Sequence, residues 1–288
     1  MCSVCATCRL GWIKNTRLEP YYWIDCGCDY GSPFEKKLML QIKNLYCVRN
    51  AGTALERAVL VNLNLTVNKG EMVIIIGGNG AGKSTFFQAL TGKMELSSGS
   101  IFLDGHDLNQ CSLQRRAADI ACVLQDPKSG TVSELTVYEN LVLASQRGIG
   151  FNLARYHCGK QKSDLFEYLC RANIGLERHY DRLVGELSGG QRQSLSVLMA
   201  FLQPAKLILL DEITAALDPK SSQRVIALAN EMVRANNQSC LMITHDLRQA
   251  LAYGDRIVVL KNGAFEKEFS GAERDTLTLE GLQDVFEA

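Results

Sequence analysis

The chain has 288 residues, 47% of them apolar, with Lys+Arg 31 against Asp+Glu 31 and a formal net charge of +0. That length can bury a sizeable core in one two-lobed unit, and nothing in the charge balance suggests a broad nucleic-acid footprint. No apolar run reaches the ~18 residues that span a bilayer, and the start lacks the apolar core of a signal peptide, so a soluble chain in the cytosol is expected.

The head stands apart. Cys2, Cys5, Cys8, Cys26 and Cys28 are five of the eleven cysteines. Cys2-x2-Cys5-x2-Cys8 looks like a fragment of a ferredoxin cluster run but lacks the following x3-Cys-Pro. Disulfides are not expected in the cytosol. One reading is a four-thiolate zinc or iron–sulfur site completed by Cys26 or Cys28. The other, preferred, is a loose tail or translated sequence ahead of the real start, because Met39-Leu40-Gln41-Ile42 reads as a natural first strand. Cys47, Cys111, Cys122, Cys158, Cys170 and Cys240 are scattered and read as small apolar residues.

Val61, Leu63, Leu65 and Val67 alternate with Asn62, Asn64 and Thr66, which predicts a half-buried strand, and Asn68-Lys69-Gly70 a turn. Met72-Val73-Ile74-Ile75-Ile76 predicts a buried strand. It leads into Gly77-Gly78-Asn79-Gly80-Ala81-Gly82-Lys83-Ser84-Thr85, which fits the phosphate-loop pattern of Gly, four residues, Gly, Lys and Ser or Thr. Its glycines let backbone N–H groups close around phosphate oxygens, and the following helix adds positive charge at its N-terminus. Lys83 is placed as a point charge for the β- and γ-phosphates, and Ser84 as a hydroxyl for Mg²⁺. Phe86 to Leu90 predicts a helix ended near Gly92. Ile101-Phe102-Leu103 before Asp104-Gly105 predicts a strand and tight turn in a β-rich edge beside the nucleotide-binding sheet.

From about Asp126 to Glu186 the chain reads as a helical insert, with Thr136-Val137-Tyr138-Glu139 as a capping box. Leu187-Ser188-Gly189-Gly190-Gln191-Arg192-Gln193 follows. Leu195, Leu198, Met199 and Leu202 then share a helical face and read as core, which points the N-terminus with Ser188, Gly189 and Gly190 outward as an anion site. Lys206-Leu207-Ile208-Leu209-Leu210-Asp211-Glu212 predicts a buried parallel strand ending in two carboxylates, at the end where open α/β sheets bind ligands. Asp211 is placed to hold Mg²⁺ through water and Glu212 to polarise the attacking water. An acidic helix cap is the plainer alternative, and it leaves the carboxylate pair unexplained.

Together these motifs resemble an ABC-type ATPase cassette from about Leu38 to about Phe269. Smaller matches agree: Gln125 in Val123-Leu124-Gln125-Asp126 with the Q-loop, Asp218 in Ala216-Leu217-Asp218-Pro219 with the D-loop, and His245 in Thr244-His245-Asp246 with the switch histidine. The resemblance implies an α/β P-loop NTPase fold with a RecA-like parallel-sheet core, an antiparallel β edge subdomain and an inserted helical subdomain. It implies a cassette over 39–270 and a tail over 271–288, with the Cys-rich head, 1–38, an extension outside the cassette. It also implies ATP and Mg²⁺, with Ser84, Gln125 and Asp211 toward the metal, and Glu212, His245, Gln125 and Lys83 in catalysis. Two chains would sandwich two ATP molecules, each between one chain's residues Gly77–Thr85 and the other's Ser188, Gly189, Gly190 and Gln191, with Asp218 nearby. A homodimer would then have two competent sites.

Gln125-Asp126-Pro127, Gly130-Thr131, Thr214-Ala215-Ala216-Leu217-Asp218-Pro219 and Asn50-Ala51-Gly52-Thr53 resemble a bacterial importer branch of tryptophan/tyrosine-type uptake systems. Such systems imply a multi-span permease, a separate substrate-binding protein, and a place on the cytoplasmic face of the membrane. A soluble ABC ATPase, such as one for Fe–S cluster assembly, is the alternative. One departure concerns adenine: where the family places an aromatic residue to stack on the base, this chain aligns Arg49, with Tyr46 three residues earlier.

Overall fold

The computed structural model describes residues 38–50, 52–148 and 159–287; the five cysteines of the head, Ala51 and Cys158 lie outside them. Two sheets carry the fold. The first pairs β1 (Leu38–Arg49) with β2 (Arg57–Asn68) and extends through β4 (Ser98–Leu103) to β5 (His106–Asp107), in the order β2-β1-β4-β5 with antiparallel neighbours. The second has the order β10-β9-β3-β8-β7-β6. It is built from β3 (Met72–Ile76), β6 (Ile120–Val123), β7 (Leu207–Asp211), β8 (Ser239–Ile243), β9 (Arg256–Lys261) and β10 (Ala264–Phe269). Its strands run parallel except β10, which returns antiparallel to β9.

Strand β3 is apolar at every position, and β7 and β8 nearly so, because helices or the other sheet cover both faces. Met72, Ile74 and Ile76 of β3 join one cluster with Leu195, Leu198, Val225 and Ala229, which lie on α6 (Gly189–Phe201) and α7 (Pro219–Ala235). Val73 and Ile75 face the other way. They pack with Phe86 and Leu90 of α1 (Lys83–Thr91) and with Leu40, Ile42, Leu63 and Leu65 of the antiparallel sheet. Met199 and Leu202, expected in the core stripe of α6, are only half-buried. Helix α1 starts a turn before the expected Phe86, and ends at Gly92 in the left-handed conformation, φ 79°.

Strand β2 departs from simple alternation. Leu63, Leu65 and Val67 point inward as expected, but Val61 is 36% exposed and Leu60 takes the core position. The register explains it: Leu45 opposes Leu63 while Cys47 opposes Leu60, so β2 carries an extra residue there, with Asn62 at φ 52°. A bulge of this kind switches which residues face inward.

The displaced Val61 N–H donates to the Gly263 carbonyl at 2.7 Å, and Gly263 N–H donates to the Ala81 carbonyl at 3.0 Å. Thus the β9–β10 turn joins the two sheets beside the phosphate loop. The Val59 carbonyl sits where side chains at two glycines would be. A Cβ on Gly263 would lie 2.2 Å from it, and one on Gly82 would lie 3.0 Å from it. Both glycines also have positive φ, +78° and +108°. Gly263→Ala is therefore expected to cost roughly 2–4 kcal/mol, combining backbone strain with a clash against a carbonyl that cannot yield. A thermal midpoint equal to the parent's would refute this.

Residues 126–186 hold α3 (Pro127–Gly130), α4 (Val137–Ala144), α5 (Gly159–Ala172) and short helical turns at Leu176–His179 and Val184–Glu186. The expected capping box is formed: Glu139 N–H donates to Thr136 Oγ1 at 3.2 Å, and Thr136 N–H to Glu139 Oε2 at 2.8 Å. The end of the chain folds back as α9 (Gly271–Asp275) and α10 (Leu279–Glu287). Leu282 is wholly buried beside α8 (Leu247–Tyr253). Cys47 and Cys240 are buried, Cys111 and Cys122 half-buried, and Cys170 exposed. Among the described residues no helix is long and apolar enough to cross a membrane, and no group of three or more His, Cys, Asp and Glu is gathered as metal ligands.

Candidate nucleotide site

The order β3-β8-β7-β6 sets the C-terminal ends of four parallel strands side by side. Each delivers one piece of the site: the phosphate loop after β3, His245 after β8, Asp211 and Glu212 at the end of β7, and Gln125 after β6. Residues Gly78, Asn79, Gly80 and Ser84 are exposed, while Gly77, Ala81, Gly82, Lys83 and Thr85 are buried. Lys83 curls over the loop, its Nζ donating to the carbonyls of Gly77 at 2.7 Å and Gly78 at 3.1 Å.

Three side chains meet on one carboxylate. Gln125 Nε2 donates to Glu212 Oε2 at 3.0 Å, His245 Nδ1 lies 3.5 Å from the same oxygen, and Lys83 Nζ lies 3.7 Å from Oε1. Glu212 is only 16% exposed. It also sits at φ 45°, a conformation that a non-glycine residue holds at an energetic cost and that concentrates at functional sites. Its N–H donates to Ile243 O at 3.0 Å, which fixes this kink against β8. Next to it, burial pushes the Asp211 carboxyl up to about 6, the Glu212 charge adds to the rise, and Lys83 opposes it. Two adjoining carboxylates thus face a lysine in a partly desolvated pocket, an arrangement suited to taking a cation and polarising a water.

The run from Ser188 to Gln191 opens α6 with its own capping box. Gln191 N–H donates to Ser188 Oγ at 3.3 Å, and Ser188 N–H to Gln191 Oε1 at 3.0 Å. Ser188 and Gly189 are exposed, as the core stripe of the helix implied. Among the described residues, no hydrogen bond or ion pair joins Ser188–Gln191 to the chain's own phosphate loop. Asp218 caps α7, accepting from Lys220 N–H and Ser221 N–H, both at 3.1 Å. Hydrogen bonding from Ser221 first, with the Lys220 amide adding, holds its carboxyl below the usual range. Arg49 does not lie free: its Nη2 donates to Thr85 Oγ1 at 3.1 Å. Tyr46 is half-buried within β1, opposite Ser98.

Two residues of the α6 motif act in ways the sequence did not reveal. Arg192 is 6% exposed and donates to Thr131 Oγ1 at 2.6 Å and Ser133 Oγ at 2.8 Å. Gln193 is 1% exposed and donates to Leu124 O at 3.1 Å. They tie the start of α6 to the stretch that follows β6 on either side of Gln125. Only their place one turn inside a capped helix hinted at burial.

A phosphate loop, carboxylates at the end of a neighbouring parallel strand, and an inserted helical unit with its own exposed helix start define a P-loop nucleotide hydrolase. The family model described as ABC transporter matches residues 60–215. The chain is 41% identical over 250 residues to the tyrosine transport ATP-binding protein of Clostridioides difficile (strain R20291), covering 86% of this chain and 99% of that one. It is 36% identical over 232 residues to the phosphonates import ATP-binding protein PhnC 2 of Oceanobacillus iheyensis, covering 78% and 87%. A solved dimeric ATP-binding cassette in a post-hydrolysis state, bound to ADP and Pi, superposes with a TM-score of 0.70 at 27% identity, covering 81% of this chain and 98% of that one. This chain belongs to the ABC transporter family and is an ATP-binding cassette, an ATPase.

Proposed function

We propose that this chain powers import of amino acids or similar small solutes, as a peripheral subunit on the cytoplasmic face of a membrane. The observation that carries the chemistry is the convergence of Lys83, Gln125 and His245 on the Glu212 carboxylate beside the phosphate loop. In this reading Gly77 to Thr85 cradle the phosphates of ATP through backbone N–H groups, and Lys83 leaves its loop carbonyls for the β- and γ-phosphates. Glu212 orients and polarises the attacking water, and His245 hydrogen-bonds the γ-phosphate. The Ser84 hydroxyl, the Gln125 amide oxygen and the Asp211 carboxylate form a hard oxygen donor set that suits Mg²⁺. Gln125 already turns its amide nitrogen to Glu212, so its oxygen is the end available to a cation. When bound, the ion would neutralise charge on the phosphates.

Two chains would close around two ATP molecules. Ser188, the Gly189 and Gly190 amides and Gln191 of one would meet the nucleotide on the other, with Asp218 at the seam. Closure would act on a multi-span permease that receives solute from a separate binding protein. The likeness to a tyrosine transport subunit supports an amino-acid cargo. The cassette proper is 39–270, with the helical unit at about 126–186.

The experiment measures phosphate release by the purified full chain, and by a chain starting at Met39, then recovers the tagged full chain from membranes. Similar rates from both and recovery with a multi-span protein are expected, together with a binding protein that carries an amino acid. Zinc or iron in stoichiometric amount in the full chain, with activity lost in the short one, would overturn the boundary. An active ATPase recovered alone would sink the transporter role, and a non-amino-acid ligand would sink the cargo assignment.

A further inference from the structure

Two arginines stand side by side at the end of the β1–β2 ribbon, one of them bonded to the first turn after the phosphate loop. Arg49 ends β1, Arg57 opens β2, and they are direct partners in the antiparallel register. Direct partners share a face, with Cβ atoms about 4.5–5.5 Å apart, and like charges so placed repel. Among the described residues no carboxylate forms an ion pair with either. The adjacent Glu56 turns instead to the Gly52 N–H, at 2.7 Å. Both arginines are exposed, so their repulsion is softened by water but relieved by no carboxylate among the described residues.

Arg49 is anchored at the phosphate end of the site. Its bond to Thr85 Oγ1 fixes the guanidinium against the first turn of α1, two residues past Lys83. One of five N–H donors is spent there, and the rest can form the paired, charge-assisted contacts that a guanidinium makes with phosphate. A group tethered there meets the charged part of a nucleotide before it meets the base.

We infer that Arg49, with Arg57 beside it, grips the nucleotide through its phosphates, so that this site takes nucleoside triphosphates with little regard to the base. The inference rests on the nucleotide-site reading above. An aromatic platform would reward a broad purine face, whereas charge pairing rewards the phosphate common to all nucleotides.

The test is competition binding to the full chain under non-hydrolysing conditions with ATP, GTP, CTP and inorganic triphosphate. The three nucleotides are expected to bind within about fivefold of one another, a spread of under ~1 kcal/mol. Arg49→Ala should weaken all four ligands by a common factor of roughly tenfold, and Arg49→Lys should recover part of it. Arg57→Ala should weaken all four by a smaller common factor. The parent's affinity should also fall more steeply with salt than that of Arg49→Ala. Unchanged affinity in Arg49→Ala overturns the inference. So does a loss confined to ATP and GTP, which would mark a stacking platform. Lys83→Ala separates this from the larger reading: it should lose all four ligands, and a parent chain that binds none of them sinks the nucleotide site itself.

Discussion

Glu212→Gln is expected to bind ATP as the parent does while its turnover falls by about 10²–10⁴-fold. The substitution keeps size and shape, and an amide oxygen can still accept from Gln125 where the carboxylate does at 3.0 Å. What it removes is the negative charge that faces Lys83 at 3.7 Å and His245 at 3.5 Å, and with it the group able to draw a proton from water. Lys83, released from that carboxylate, has one fewer competitor for phosphate, so affinity should not suffer. If ATP bridges two chains, uncleaved nucleotide should hold them together. Size-exclusion chromatography with ATP and Mg²⁺ should then show a dimer that the parent loses as it hydrolyses. Turnover near the parent rate would remove Glu212 from the mechanism.

Ser188→Arg should abolish hydrolysis and ATP-driven dimerisation while leaving nucleotide affinity of the monomer intact. Ser188 is exposed and makes its hydrogen bonds within its own capping box, so the chain's own phosphate loop does not depend on it. In the proposed dimer, a bulky arginine there would stand where the γ-phosphate held by the second chain docks. It also removes a helix cap worth about 1 kcal/mol, so Ser188→Asp serves as the second variant. Aspartate keeps the cap, and its charge repels phosphate, so it should block closure just as arginine does without loss of thermal stability. Weaker ATP binding by either monomer would show that Ser188 serves its own chain's site.

The sequence spoke most clearly where chemistry demands a residue type at a set spacing. Lys83 and Ser84 in a glycine-rich loop, and Asp211 and Glu212 after four apolar residues, could be read from one strand or turn at a time. The gathering of Lys83, Gln125 and His245 on one carboxylate could not, because it comes from the strand order β3-β8-β7-β6, which brings together segments far apart in the chain. Local pattern also failed at Val61, where a bulge at Asn62 hands the core position to Leu60. Alternation counts residues and does not register one that drops out of the ladder. Arg192 and Gln193 were hidden for a different reason. Composition places such side chains in solvent, and only partners on another segment, Thr131, Ser133 and Leu124, make their burial affordable.

With the Val59 carbonyl wedged between Gly82 and Gly263, the β1–β2 ribbon has no room to slide along the phosphate loop. The contact ties ribbon and loop into one block, and the Arg49 bond to Thr85 adds a second tie. The stretch around Gln125 is held differently, by side-chain bonds from Gln193 to Leu124 before it and from Arg192 to Thr131 after it, which can exchange partners without breaking a strand ladder. The shape of the phosphate loop is thereby held from outside as well, by a carbonyl of the other sheet lodged against its last glycine.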